Sequence, residues 1–468
     1  MIRYSRAKVI TICFLPFAFA LFLTSSGGAS AADALKPSDR TVVMISVDGL
    51  AADYLDDPKA EMPTIRALAA EGARAASMKA VTPTVTWPNH TTLVTGVMPA
   101  RHGVIGNNYF DRATGKRVVL ISDPVYDKDE IVKAPTIYDL AKAAGLTTAA
   151  ARWPASRNAK TLDWTFPDVR SLDLLEKYTT PVVLQDAEAA GIKMLNKDDA
   201  KGDSAQPPDD ICLRAFNLIL QKHRPNLALL HLVDVDHDEH LYGPRTPEAY
   251  AAIKAADGQV RDVWDELKRD FAGKATLFIV SDHGFQSNKS AIFPNVVLRQ
   301  AGLVEAIGKN ETRGPVQVVA QGGTEFVYIL DDTRRAEIAE RVRKAFAPLE
   351  GVSKVVGSEQ FKQYGVANPK DDPKGPDMIL FAKEGYIFGD TASGDLPFKA
   401  KPERKGSHGH DPAIPHLHAT FVAWGAGIKS GAKLGEIQNT AVAPTIARLL
   451  GISIPNAEGK ALEQILKH

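Results

Sequence analysis

Three apolar runs in this chain end on an acid. Thr41-Val42-Val43-Met44-Ile45-Ser46-Val47 leads into Asp48-Gly49. Residues 227–235 lead into Asp236 and, four positions on, His240. Residues 275–280 lead into Ser281-Asp282-His283-Gly284. Short continuous apolar runs read as strands buried on both faces. Helical stretches lie around them: 62–73 with Pro63 near its start, 136–144 closed by Gly145, 209–222, and 248–271 just after Pro247. A shorter strand is expected over 147–151. Strands alternating with helices predict a mostly parallel sheet covered on both faces. Ligands of open α/β sheets bind beyond the carboxyl ends of the strands. Three acids in that position, two with histidines nearby, point to a two-metal phosphoryl-transfer centre.

No internal repeat interrupts this pattern, but its character changes twice. Residues 168–208 are polar and irregular, with Lys197-Asp198-Asp199-Ala200-Lys201-Gly202-Asp203, and read as a surface insertion. From 287 to 404 the order becomes strand (316–320), Gly322-Gly323, strand (325–330), helix (333–347), strand (378–382), without acids at strand ends. This segment reads as an inserted α+β cap. The sheet domain, begun over 41–286, resumes at 405–468 with a strand at 421–424 and a helix at 440–450 that stops at Gly451.

Length and charge narrow the function. At 468 residues the chain holds one large domain or two ordinary ones. Lys+Arg and Asp+Glu are both 56, which argues against nucleic-acid binding by bulk charge and leaves small anionic substrates open. The start has the form of an export signal over 1–31: basic Arg3, Arg6 and Lys8, an apolar run over 9–23, then Ala29-Ser30-Ala31. A secreted or periplasmic protein is expected, with no stable membrane span after signal removal. Only Cys212 then remains, so no internal disulfide forms. Oligomeric state is not legible.

The chemistry gathers in four places. Asp236 and His240, at i and i+4, share one face of a helical turn, and carboxylate plus imidazole suits zinc. Asp234, Asp238 and Glu239 crowd the same stretch without needing to be ligands. Asp282-His283 follows a buried strand directly. Lys405-Gly406-Ser407-His408-Gly409-His410 is a glycine-flanked histidine loop in which His408 and His410 compete, with His416 and His418 nearby. In Thr82-Pro83-Thr84-Val85-Thr86-Trp87-Pro88-Asn89-His90, Pro88 sets the first turn of a helix running to Thr95. A hydroxyl just before that helix meets free N–H groups and the positive end of the dipole, as an ordinary helix cap also does.

Taken in order, these stretches resemble the nucleotide pyrophosphatase/phosphodiesterase branch of the alkaline phosphatase superfamily. The resemblance rests on Val47-Asp48-Gly49, Thr86-Trp87-Pro88-Asn89-His90 with Val94-Thr95-Gly96, and Arg101-His102-Gly103-Val104-Ile105-Gly106-Asn107-Asn108. It continues through Trp153-Pro154, Asp236 to His240 with Tyr242-Gly243-Pro244, Ser281-Asp282-His283-Gly284 and Ser407-His408-Gly409. It implies an alkaline-phosphatase-like α/β fold and two zinc ions. One would be held by Asp236, His240 and His408. The other would be held by Asp48, Asp282 and His283, with Thr86 as ligand and nucleophile. Asn107 would donate to a phosphoryl oxygen. The chain departs from the family pattern at His410-Asp411-Pro412, Ala155 and Thr91, all bearing on the leaving-group pocket.

The expected reaction is hydrolysis of a small, nucleotide-like phosphate diester through a phospho-threonine, with net retention at phosphorus. The alternatives are a phosphate monoesterase or a phosphonoacetate hydrolase of the same superfamily. A monoester carries one more negative charge and would call for an added cation, for which Arg101 and Arg152 are the candidates. A sulfatase lacks its Cys/Ser-x-Pro-x-Arg motif here. A catalytically dead binding protein is at odds with the intact ligand set.

Overall fold

The computed structural model describes residues 1–2, 35–121, 126–194 and 207–467. The expected export signal, but for its first two residues, and the stretch Lys197 to Asp203 lie outside the described residues. Eight strands form the central sheet: β1 (Thr41–Val47), β2 (Ala73–Lys79), β3 (Thr148–Ala151), β4 (Trp164–Phe166), β5 (Leu227–Leu232), β6 (Ala275–Val280), β7 (Phe421–Gly425) and β8 (Ala432–Gln438). Their order is β8-β2-β7-β6-β1-β5-β3-β4. Neighbours run parallel except at β7, which is antiparallel to both β6 and β2.

The apolar runs are strands because each face of the sheet has its own core. In β1, Val43, Ile45 and Val47 point into one cluster with helices α1 (Pro63–Glu71), α3 (Asp209–His223) and α5 (Pro247–Asp270). Val42 and Met44 point into the other, with α2 (Thr86–Thr95) and α7 (Val442–Leu449). Register fixes the site: Val47 pairs with Leu232 and Ser46 with Val280, so the three acid-bearing segments leave the sheet at one edge.

Three expectations need correction. β5 stops at Leu232, and Asp236 lies on a helix, α4 (Asp234–Tyr242), rather than at a strand end. The buried Asp209 carboxylate accepts the Val233 and Asp234 N–H groups and so starts the helix there. The segment after residue 168 is not irregular: Leu172–Tyr178 and Pro181–Ala189 are helices whose Leu175, Val183 and Ala187 enter the first core. Finally, β2, β4 and β8 carry no continuous apolar run and escaped the pattern.

Between residues 287 and 404 lies a four-stranded antiparallel sheet, in the order Val316–Gln321, Thr324–Ile329, Met378–Ala382, Val352–Gly357. Helix α6 (Arg335–Phe346) covers one face through Ile338, Val342 and Phe346. The other face, with Val319, Phe326, Tyr328 and Phe381, packs on Ile105 and Phe110. The cap therefore sits on the loop that carries Asn107.

Candidate metal centre and active site

Two groups of donors converge at the sheet edge. In each, one donor atom per residue lies within 4.8 Å of the others. The first is Asp48, Asp282 and His283, all buried. Asp282 Oδ1 accepts from Gly49 N at 3.2 Å and His283 N at 3.0 Å, which turns Oδ2 inward. His231 Nε2 lies 2.9 Å from Asp48 Oδ2, which leaves Oδ1 facing the group. Asp48 Oδ1, Asp282 Oδ2 and His283 Nε2 are buried without hydrogen-bond partners. Buried polar atoms without partners are rare in folded proteins. Three of them aimed at one point form a cradle for a cation.

The second group is Asp236, His240 and His408. His240 Nδ1 lies 3.0 Å from Gly406 O, and His408 Nδ1 lies 2.9 Å from Thr84 O. A carbonyl only accepts, so each Nδ1 carries the proton and each Nε2 keeps its lone pair. The two Nε2 atoms are 3.2 Å apart and 3.6 and 3.5 Å from Asp236 Oδ1, itself without a partner. The structure also decides between the histidines of the glycine loop. His410 Nε2 is engaged by Tyr386 O at 2.7 Å and Gln286, and His418 by Ser77 and Pro412 O. Only His408 turns to the acids.

The electrostatics of the two groups differ. Burial, then the carboxylates of Asp282 and Asp236, push Asp48 well above the usual carboxylate range. Burial opposes charge on Asp282 too, but His283, His90 and His231 hold it well below that range. Burial lowers His240, and burial together with its histidine neighbours lowers His408. His240 and His408 are thus held as the neutral imidazoles that ligation needs, whereas Asp48, pushed up, and His283, raised by Asp282 against the effect of burial, would each give up a proton to a bound cation. The donor sets, Asp₂His and AspHis₂, fit a metal of zinc's preferences in both groups.

Between the two groups runs the segment Thr84 to Thr86. Thr84 O holds His408, and Thr86 O accepts from His90 Nδ1, which lies 3.6 Å from Asp282 Oδ2. Burial holds His90 down to about 3, so it is a neutral donor. Thr86 is the first residue of α2 and half-buried. Asn89 ties the preceding loop by accepting from Val81 N and donating to Pro83 O and Val85 O. Asn107 Oδ1 accepts from Trp87 N at 2.9 Å, which spends its oxygen on the helix start and leaves the amide nitrogen as its donor.

Several contributors went unread in the sequence. His231 is one, although an imidazole inside the run Leu227 to Leu232 was a visible signal. Asp209 is another. A third is the turn between the first two cap strands. Gly323 N donates to His408 O at 2.9 Å and Thr324 Oγ1 to Gly409 O at 2.5 Å. Gln321 accepts from Asn107 N at 3.0 Å and donates to Asn108 O at 2.7 Å. Gly409, at φ +86°, comes so close that a Cβ there would lie 1.8 Å from Gln321 O. Neither candidate for an added cation serves as one. Arg152 is bound to Asp209 Oδ1 and Pro207 O, and Arg101 to Asn456 O and Glu458.

Comparison with known proteins bears on the family and the fold. The chain is 26% identical over 438 residues to human ectonucleotide pyrophosphatase/phosphodiesterase family member 1, covering 91% of this chain and 42% of that protein. It therefore spans less than half the length of that relative. The structure of human family member 5 superposes with a TM-score of 0.69 at 22% identity, covering 92% of this chain and all of that one. The murine counterpart, an inactive threonine-to-alanine variant in complex with AMP, superposes with a TM-score of 0.66 at 21% identity. The α/β fold is the alkaline-phosphatase-like one. A family profile described as type I phosphodiesterase / nucleotide pyrophosphatase matches residues 42–411, and this chain belongs to that family.

Proposed function

We propose that this protein is a zinc-dependent phosphodiesterase that hydrolyses nucleotide-like phosphate diesters through a covalent phospho-threonine. The carrying observation is the segment Thr84 to Thr86 strung between two donor groups, with Thr86 at the start of α2 and Asn107 anchored beside it. Asp48, Asp282 and His283 would hold one zinc ion, and Asp236, His240 and His408 the other. When bound, the pair supplies Lewis-acid stabilisation of the attacking and leaving oxygens.

The chain's own residues do the rest. Thr86 Oγ1 attacks phosphorus in line, forming the Thr86 O–P bond as the bond to the leaving alkoxide breaks. The positive end of the α2 dipole and the Asn107 amide nitrogen stabilise the charge that grows on the phosphoryl oxygens. A water molecule then attacks the phospho-threonine, breaks the Thr86 O–P bond and releases the phosphate monoester. Two inversions leave net retention.

Arg101 and Arg152 are both engaged elsewhere, so neither is placed to meet the second charge of a monoester, which supports the diester reading. A nucleotide-like substrate is supported by the names of the relatives and by the AMP complex of the murine protein. In this reading the enzyme works after export, as its basic and then apolar start suggests. The test is kcat/KM of the zinc-loaded protein on paired aryl phosphate diester and monoester substrates, with Thr86→Ala as control. A diester preference that disappears in the control is expected. A monoester preference would overturn the substrate class.

A further inference from the structure

Arg152 is 2% exposed and its backbone lies in the left-handed region, at φ +51°. A buried arginine held there, at the end of β3, is costly unless its surroundings need it. Its surroundings lead to both metal-ligand groups by separate routes. The guanidinium Nη1 donates to Asp209 Oδ1 at 2.8 Å, and Nη2 to Pro207 O at 2.7 Å. Asp209 in turn accepts the Val233 and Asp234 N–H groups at 2.9 and 3.0 Å, and so sets where α4 begins. Asp236 and His240 stand on the first two turns of that helix. The second route runs through the main chain. Arg152 O accepts from His231 Nδ1 at 3.1 Å, and His231 Nε2 lies 2.9 Å from Asp48 Oδ2.

We propose that Arg152 is a positioning residue that sets the spacing between the two metal-ligand groups. Its side chain holds the helix of Asp236 and His240 through Asp209, and its carbonyl holds Asp48 through His231. The left-handed backbone is what lets one residue point its guanidinium and its carbonyl at these two partners. The inference rests on the ligand assignment above and concerns residues that themselves touch neither substrate nor metal.

The test is zinc binding, measured by competition with a chromophoric chelator and separately from activity. Asp236→Asn and Asp282→Asn serve as references that identify which equivalent is lost. Partners that orient metal ligands are worth about 10–100-fold in affinity. Arg152→Lys keeps the charge and the main-chain carbonyl but cannot reach Asp209 and Pro207 together, so the equivalent lost in Asp236→Asn should weaken by about that range, and the other by less. Asp209→Asn should weaken only the equivalent lost in Asp236→Asn. His231→Gln should weaken only the one lost in Asp282→Asn. Should Arg152→Lys fail to fold by circular dichroism, the other two variants decide. Wild-type affinity in a folded Arg152→Lys, or the same equivalent weakened in Asp209→Asn and His231→Gln, would overturn the proposal. A wild-type protein that takes up fewer than two equivalents would instead overturn the ligand assignment.

Discussion

The two donor groups use similar parts in different settings. The first is closed: Asp282 and His283 are 1% and 0% exposed, and main-chain N–H groups wrap the Asp282 carboxylate. The second is open: the side chains of Asp236 and His240 keep 20% and 16% of their exposure. The closed group comes from strand ends and is fixed by sheet register. The open group joins a helix turn to a glycine loop far along the chain. Closed donors suit a permanent charge that steadies the nucleophile. Open donors suit a site where water and substrate exchange.

Four measurements break or sharpen that contrast. Thr86, tied to the closed side through His90, should be the most sensitive position. Thr86→Ala should lower kcat/KM at least about a thousandfold while the open group keeps its zinc. Activity within tenfold of wild type would remove the nucleophile from this reading. Asn107 hangs from the same helix start, and Asn107→Ala should cost about a hundredfold in kcat with zinc content unchanged. A change confined to KM would make it a ground-state contact.

Stability should separate the groups more gently. Asp282→Ala strands the buried Gly49 and His283 N–H groups, at about 1–3 kcal/mol each. Asp236→Ala strands neither. In zinc-saturated buffer the first should unfold at distinctly lower denaturant than the second; equal midpoints would mean that closure carries no energetic weight.

The smallest effect is a control outside both groups. Burial pushes Glu266, on α5, up to about 7. Its folded value lies above its unfolded one, so its contribution is whole below about pH 4.3, the ordinary glutamate value. It is lost as pH rises through about 7. Glu266→Gln should flatten the stability–pH curve over that window and stabilise the protein at pH 8, equally with and without chelator. A zinc-dependent difference would mean that the scaffold and the metal centre titrate together.

Much of this was legible in the chain, for local reasons. The apolar runs of β1, β5 and β6 announce strands because both of their faces are buried. Asp236 and His240 announce a shared helix face by their spacing. The ligand set came from the family motifs around these residues, and the geometry gathers its acids and histidines into two groups, Asp48 with Asp282 and His283, and Asp236 with His240 and His408. What stayed hidden depends on contacts between distant parts of the chain. Asp209 reads as an ordinary acid at a helix start, yet it caps a different helix. Arg152 stood as one candidate for an added cation, and its guanidinium is buried on Asp209 and Pro207 O. β2, with Arg74, Ser77 and Lys79, owes its place to pairing with β7 and β8 rather than to its own hydrophobicity.

The turn from Gln321 to Thr324 bears on how such enzymes change substrates. Insertions are commonly imagined as exchangeable lids, grafted onto a finished catalytic core. Here the turn between the first two strands of the four-stranded sheet is built into the loops that carry His408 and Asn107. Its glycines lie against the backbone of His408 and Gly409, and Gln321 holds the loop of Asn107. A graft that alters this turn by one side chain would drive a Cβ into the backbone or ring of the His408 loop. Changes in the far strands and helix of residues 287–404 leave these contacts untouched, whereas the hairpin and the loop it touches can change only together.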